Sequence, residues 1–380
     1  MEPPEAPSNG PGTSFLGTLA LVFLAIGVLF AIDTFLAKVE QSEMATQAVR
    51  LFREGQRLAQ EGRDAESIER LRAALAISRD NPAYQLALAD VLLRANKLAD
   101  AEAALTNMLQ NDATDGGANL LMARALARQG KPEAAEFYYH MAIYGQWPQD
   151  AAANRVQARF ELIDLLVKQD NKKALLAELL PLQDEAPGDL ETRRRIAHLF
   201  LLAASPGRAA DMFRQILRQE HDHEDADAYA GLGEAETALG NYRIAETNLQ
   251  VAAHLKPGDE DIRKRLELAR QVLALDPMLR GLGTAERYRR ALKLVQLALN
   301  DVKQCTGAGV SGNLRDLADQ AGQALQKRVT ASQQDEAIEA NLELAEKLGQ
   351  ARQKNCAQAT QPADEPLRLV LARVSDAAAR

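Results

Sequence analysis

Two short stretches and a pair of cysteines carry residue types that could do chemistry. "EHDHED", Glu220 to Asp225, sets His221 and His223 among four acids, and such donors suit zinc or nickel. Two imidazoles at that spacing in a polar joint make a floppy site, so no metal is expected. "GAGVSG", Gly307 to Gly312, matches G-x-G-x-x-G letter for letter. A dinucleotide site needs a strand before that turn and an acid near the end of the next strand. A long helical pattern precedes it here, so it reads as a link between helices and no cofactor is expected. Cys305 and Cys356 are the only cysteines and lack metal-ligand spacing, and the five histidines place no base beside an obvious nucleophile. The expectation is a protein that is not an enzyme.

The elements that carry these residues are helical by composition. Alanine and leucine dominate, only 4% of residues are aromatic, and the chain is 47% hydrophobic and 26% charged over 380 residues. That balance belongs to a folded protein of closely packed helices. A net charge of −8 argues against nucleic acid, which needs a concentrated excess of Lys and Arg.

Residues 1–14, "MEPPEAPSNGPGTS", have no apolar face and are expected to form a disordered tail. Phe15 to Ile32 then runs eighteen residues without a charge, about 27 Å as a helix, near the thickness of a bilayer's hydrocarbon core. Without a basic n-region or a small-residue cleavage site, it reads as a retained single-pass anchor in a cell membrane, placed at 15–34, with a linker helix at 35–47. Lys38 and Arg50 follow the span while the tail has neither Lys nor Arg, a mild bias toward a cytoplasmic remainder.

Beyond residue 47 a ruler emerges. Small residues recur at Gly55, Ala89 and Ala123, thirty-four apart, and again at Ala197 and Gly233. "YAGLGEAETALGNYRIAETNLQVAAHLKP" supplies Leu232, Gly233, Gly240, Tyr242, Ala245, Leu249, Ala252 and Pro257 at fixed offsets. Gly233 and Ala245 would let two helices approach, Gly240 suits a left-handed helix end, and Pro257 cannot continue a helix. These residues resemble the tetratricopeptide repeat (TPR), the helix–turn–helix unit of thirty-four residues. The resemblance covers about residues 48–257 as six helix pairs. The fourth, "RFELIDLLVKQDNKKALLAELLPLQ", is degenerate, with seventy-four residues separating Ala123 from Ala197.

The resemblance implies an all-α, TPR-type right-handed α-solenoid that holds a protein or peptide partner in its groove. In this family the first helix of each unit faces the groove. Its exposed positions here include Arg94, Arg124, Arg128, Arg194 and His198, which either grip partner carboxylates or form an ordinary solvated face interrupted by Asp90 and Glu234. Five of the seventeen aromatic residues crowd into "FYYHMAIYGQWPQD", Phe137 to Asp150. Phe137, Tyr138 and Tyr139 are expected in the core. Trp147 is either a plug over the joint with the degenerate repeat or an exposed anchor for a partner.

Residues 258–305 read as capping and connecting helices and 306–380 as a C-terminal helical bundle. If the helices ending at Cys305 and Cys356 are the first and third of an up, down, up arrangement, both thiols finish at one end. They are then either a disulfide, pointing to an extracytoplasmic domain, or two free cysteines. The apolar stripe of Leu367, Val370, Leu371 and Val374 must dock on something. The whole pattern resembles bacterial membrane-anchored TPR proteins, which implies a scaffold or adaptor. A self-assembling membrane component, working as a homo-oligomer through the Leu367 stripe or Trp147, is the alternative.

Overall fold

The computed structural model describes residues 12–186, 188–219, 224–306, 313–355 and 364–378. These are helical nearly throughout, and they divide into two compact units that meet in sequence between Gln169 and Asp170.

The first unit opens with α1, Gly12–Gln60, a single helix of 49 residues, about 73 Å long at 1.5 Å per residue. Anchor, linker and first repeat helix are therefore one uninterrupted rod, because no Gly-Pro pair or polar turn interrupts the helix formers between Ile32 and Ala48. The 18-residue apolar window within it has a mean hydropathy of 2.5, and none of it is buried. Its C-terminal quarter packs on α2, Asp64–Ile77. There a Cβ on Gly55 would stand 2.9 Å from Leu71, and the Ser67 hydroxyl donates to the Gly55 carbonyl at 2.8 Å. Two further hairpins follow: α3, Pro82–Arg94, with α4, Leu98–Asn111; and α5, Gly116–Arg128, with α6, Pro132–Tyr144. Helix α7, Ala151–Lys168, closes the unit against α6.

The second unit begins with α8, Lys172–Glu185, and continues through α9, Leu190–Leu202, and α10, Pro206–Gln219, to α11, Ala226–Ala238, and α12, Tyr242–Leu255. Each packs on the next. A Cβ on Gly233 would come 2.5 Å from Leu249, and one on Gly231 would come 2.2 Å from Phe213, so both glycines exist for close helix approach. The fully buried Glu236 is held by Arg214 and Asn241.

One backbone feature measures the repeat in both units. The first helix of each pair ends on a left-handed residue, at Gly62, Asn96, Gly130, Asp170, Ala204 and Gly240, spaced 34, 34, 40, 34 and 36 residues apart. At five of the six, the next N–H reaches back to a carbonyl five residues upstream, as in Arg63 to Leu58 and Lys97 to Leu92, closing a Schellman motif. The hairpins are tetratricopeptide hairpins and the fold is all-α. The irregular spacing is now located: the six extra residues fall between Gly130 and Asp170, where the Trp147 loop and a longer α7 lie. The fourth pair lacks the small-residue signature because Ile163 occupies the position that is Gly or Ala in the others.

After α12 come α13, Glu260–Leu275, α14, Thr284–Thr306, α15, Asn313–Gln326, a 3-10 turn at Ala331–Gln333, α16, Gln334–Asn355, and α17, Glu365–Ala378. Here α13 packs on α12, and α17 packs back on α13. Leu367, Val370, Leu371 and Val374 of α17 are buried with Val272 of α13, Val295 and Val302 of α14, and Leu348 of α16. The stripe is thus consumed inside the chain, covering the end of the repeats as an array requires. Helices α14 and α16 make the most extensive contact in the unit and pair Asp301 with Arg352 at 2.8 Å near their C-terminal ends. Two helices meeting along their length with their C-terminal ends together run parallel.

Candidate functional site

Of the four first-helix arginines, Arg94 and Arg128 come from equivalent places in successive repeats, and the structure gives all four an internal partner. Arg94 and Arg128 are the last residues of α3 and α5, one period apart. Arg94 donates to the Ala59 carbonyl at 2.9 Å, and Arg128 donates to the Leu93 carbonyl at 2.8 Å. Each thereby caps the C-terminal end of the first helix of the preceding repeat, where carbonyls lack partners and the helix dipole favours a cation. Arg94 also lies 3.3 Å from Asp64 and 3.6 Å from Asp90. Both side chains stay exposed, and a guanidinium has five donors, so each keeps N–H groups directed at solvent.

Arg124 is spent differently. It grips Glu161 of α7 through two bonds, 2.8 and 2.7 Å, and the Tyr139 hydroxyl donates to the same carboxylate at 3.4 Å. The bond to Glu161 raises the pKa of Arg124, and burial raises that of Tyr139. This cluster ties the third repeat to the fourth.

In the second unit Arg194 lies 2.8 Å from Asp225, a residue that also caps α11 by accepting from the Ala228 N–H at 2.9 Å. His198 sits one turn on from Arg194, half-buried and edge-on to Phe213, with ring centroids 5.0 Å apart. Burial holds its imidazole below the ordinary pKa, opposed by Glu234 and Asp227.

Trp147 is half-buried in the loop before α7. Its indole N–H donates to the Ala142 carbonyl at 2.9 Å, and its ring rests on the bare backbone of Gly116. Gln146 is stitched to the start of α5 by bonds from Gly116 N to its carbonyl, 2.8 Å, and from its N–H to Thr114, 2.7 Å. Of the neighbouring aromatics only Tyr139 is buried. Phe137 is 58% exposed, contrary to the core placement expected from the sequence, because α6 buries Ala135, Tyr139, Ala142 and Ile143 on its opposite side. Tyr144, 72% exposed, has the Arg159 guanidinium 6.0 Å from its ring centre. Phe137 and Tyr144, seven residues apart on one helix face, are a surface feature that the crowding of aromatics announced but did not orient.

His221, His223 and the Gly307–Gly312 stretch lie outside the described residues, as do Cys356 and the side chain of Cys305. Among the described residues no group of three His, Cys, Asp or Glu side chains is placed to hold a metal ion.

No family model matches this chain, and no curated protein matches it. Solved structures do. The chain is similar to YrrB, described as a TPR protein with an unusual peptide-binding site, at 18% identity over 52% of this chain and 97% of that one, with a TM-score of 0.43. It is also similar to the C-terminal part of a TPR repeat-containing protein from Cytophaga hutchinsonii, at 14% identity over 63% and 92% with a TM-score of 0.45. A third is PilW, a type IV pilus biogenesis factor, at 15% identity over 58% and 98% with a TM-score of 0.39.

Proposed function

We propose that this chain is a membrane-tethered scaffold that holds a protein or peptide partner on the first helices of its repeats, without catalysis. The observation that carries the reading is α1. One helix is at once an uncovered apolar rod from Leu19 to Ile32 and the first helix of the first repeat, so a bilayer around the former holds the latter directly. Uncovered apolar area on that scale is stable in lipid rather than water. Tethering also raises the effective concentration of whatever the repeats hold.

Arg94 and Arg128 are the residues best placed to meet the partner, since each is exposed and donates one bond to a backbone carbonyl, Arg94 lying also beside Asp64 and Asp90, with donors left for a carboxylate. Trp147 is the further proposed contact of the first unit, and Arg194 and His198 are the proposed contacts of the second, each unit taken by itself. The domain is taken as extracytoplasmic, with Cys305 and Cys356 as a disulfide, a reading favoured by the parallel α14–α16 pair whose Asp301 and Arg352 each precede a cysteine by four residues.

Two measurements test the reading separately. Alkaline carbonate extraction of native membranes should leave the chain in the pellet; its release would end the tether. Cross-linking in the same membranes should yield an adduct with a defined partner protein, reduced several-fold by Arg94→Glu with Arg128→Glu. An undiminished adduct would move the site elsewhere, and the absence of any adduct would end the scaffold.

A further inference from the structure

Between the apolar span and the first repeat, α1 runs through water with nothing of its own chain against it. Phe35 is 65% exposed, Leu36 59% and Val39 39%. A lone helix does not hold such side chains in water without a partner.

The exposed residues follow a spacing. Val28, Ile32, Phe35, Val39 and Val49 fall alternately four and three residues apart once Ser42 and Thr46 are included, a heptad seam along one face. In that register Ile32, Val39 and Thr46 occupy a positions, and Val28, Phe35, Ser42 and Val49 occupy d positions. The two hydroxyls in the seam are already satisfied inside the helix: Ser42 donates to the Val39 carbonyl at 2.7 Å and Thr46 to the Ser42 carbonyl at 2.9 Å. Covering them with a second helix would strand no donor.

The flanks are complementary to themselves. Lys38 stands at a g position and Glu43 at the following e position, the pair that meets across a parallel two-stranded coil. Among the described residues neither has an ion-pair partner within the chain. The next a position is Arg53, which would oppose its own copy, so like charge ends the seam at Val49 where the repeats begin.

We propose that the occupant of this face is a second copy of the chain, and that α1 forms a parallel two-stranded coil from about Val28 to Val49. The parallel direction agrees with the membrane reading, in which both copies insert the same way, and rests on it in that respect. Two sets of repeats are then presented side by side on a common stalk.

The test is a cysteine scan of the full-length chain in its membranes, in a Cys305→Ser, Cys356→Ser background. Single substitutions such as Phe35→Cys and Val39→Cys are made at positions 35 to 49 and oxidised. Covalent dimer should peak at 35, 39, 42, 46 and 49 and be several-fold weaker at 37, 41 and 44. Lys38→Glu should lower the dimer fraction, and adding Glu43→Lys should restore it. No dimer, or equal dimer at every position, overturns the proposal, as does a charge swap that fails to restore what Lys38→Glu removed. Same-position cross-linking reports the seam in membranes and in detergent alike, so loss of the tether, seen as release by carbonate, is read independently.

Discussion

The indole of Trp147 occupies the space that a side chain on Gly116 would need: an added Cβ would stand 2.4 Å from its Cε2 and Nε1. Gly116→Ala should therefore displace the ring and destabilise the chain by about 1–3 kcal/mol, the usual range for overpacking. Trp147 is the only tryptophan, so its fluorescence during urea unfolding reports both the shift and the lost stability. Gly322→Ala, in the second unit and followed by far-ultraviolet circular dichroism, is the control, since nothing lies within 4 Å of its added Cβ. It should stabilise by about 0.5–1 kcal/mol, as expected for a helical glycine replaced by alanine.

Ala204 holds a left-handed backbone, φ 53°, at a helix end where three other repeats have glycine at φ 76°, 74° and 77°. Its methyl group is exposed, so removing it forfeits no packing. Ala204→Gly should relieve about 1 kcal/mol of backbone strain, offset in part by the greater freedom of glycine in the unfolded chain. A net rise in the urea midpoint at unchanged slope is the expected result; a fall would show that the strain relieved is smaller than the cost of glycine's added freedom.

The depressed pKa of His198 makes a pH prediction. The folded chain favours the neutral imidazole, so this contribution is fully present above the ordinary histidine pKa of about 6.5. It declines as pH falls through that value toward the lower folded pKa, because the unfolded chain then binds the extra proton. Carboxylates titrate lower still, and His198→Gln isolates the effect. Between pH 7.5 and 5.5 the wild-type chain should lose more stability than the variant. Equal losses would mean that burial does not perturb the ring.

Asp301 and Arg352 pair across two parallel helices, and four residues further along each sequence comes a cysteine. If Cys305 and Cys356 are bonded as proposed, digestion without reductant should release a single cross-linked peptide. Reduction should lower stability by up to about 4 kcal/mol for a loop of this length. Both thiols alkylating at once in unreduced protein would dismiss the bond.

The repeats were legible because the hairpin needs particular residue types at particular offsets. Gly62, Gly130 and Gly240 mark left-handed turns, and Gly55, Ala89, Ala123 and Gly233 mark close helix approach; neither role depends on distant sequence. The fourth pair read only as a degenerate repeat because Ile163 replaces the small residue and Asp170 takes the turn conformation without being glycine, as Ala204 does in the fifth.

By itself, then, the sequence determined what local physics dictates: helices, their period, the apolar span, and the amphipathic stripe that had to be covered. The fate of polar and aromatic side chains was decided only by the tertiary structure. Arg128 could not be known to cap a carbonyl thirty-five residues back, nor Arg124 to close on Glu161 rather than face a groove. Nor could Phe137 be placed outside and Trp147 over a glycine. A guanidinium or a ring is satisfied by whichever group packing brings within about 3–4 Å, and that neighbour comes from another repeat, at a separation that no local pattern records.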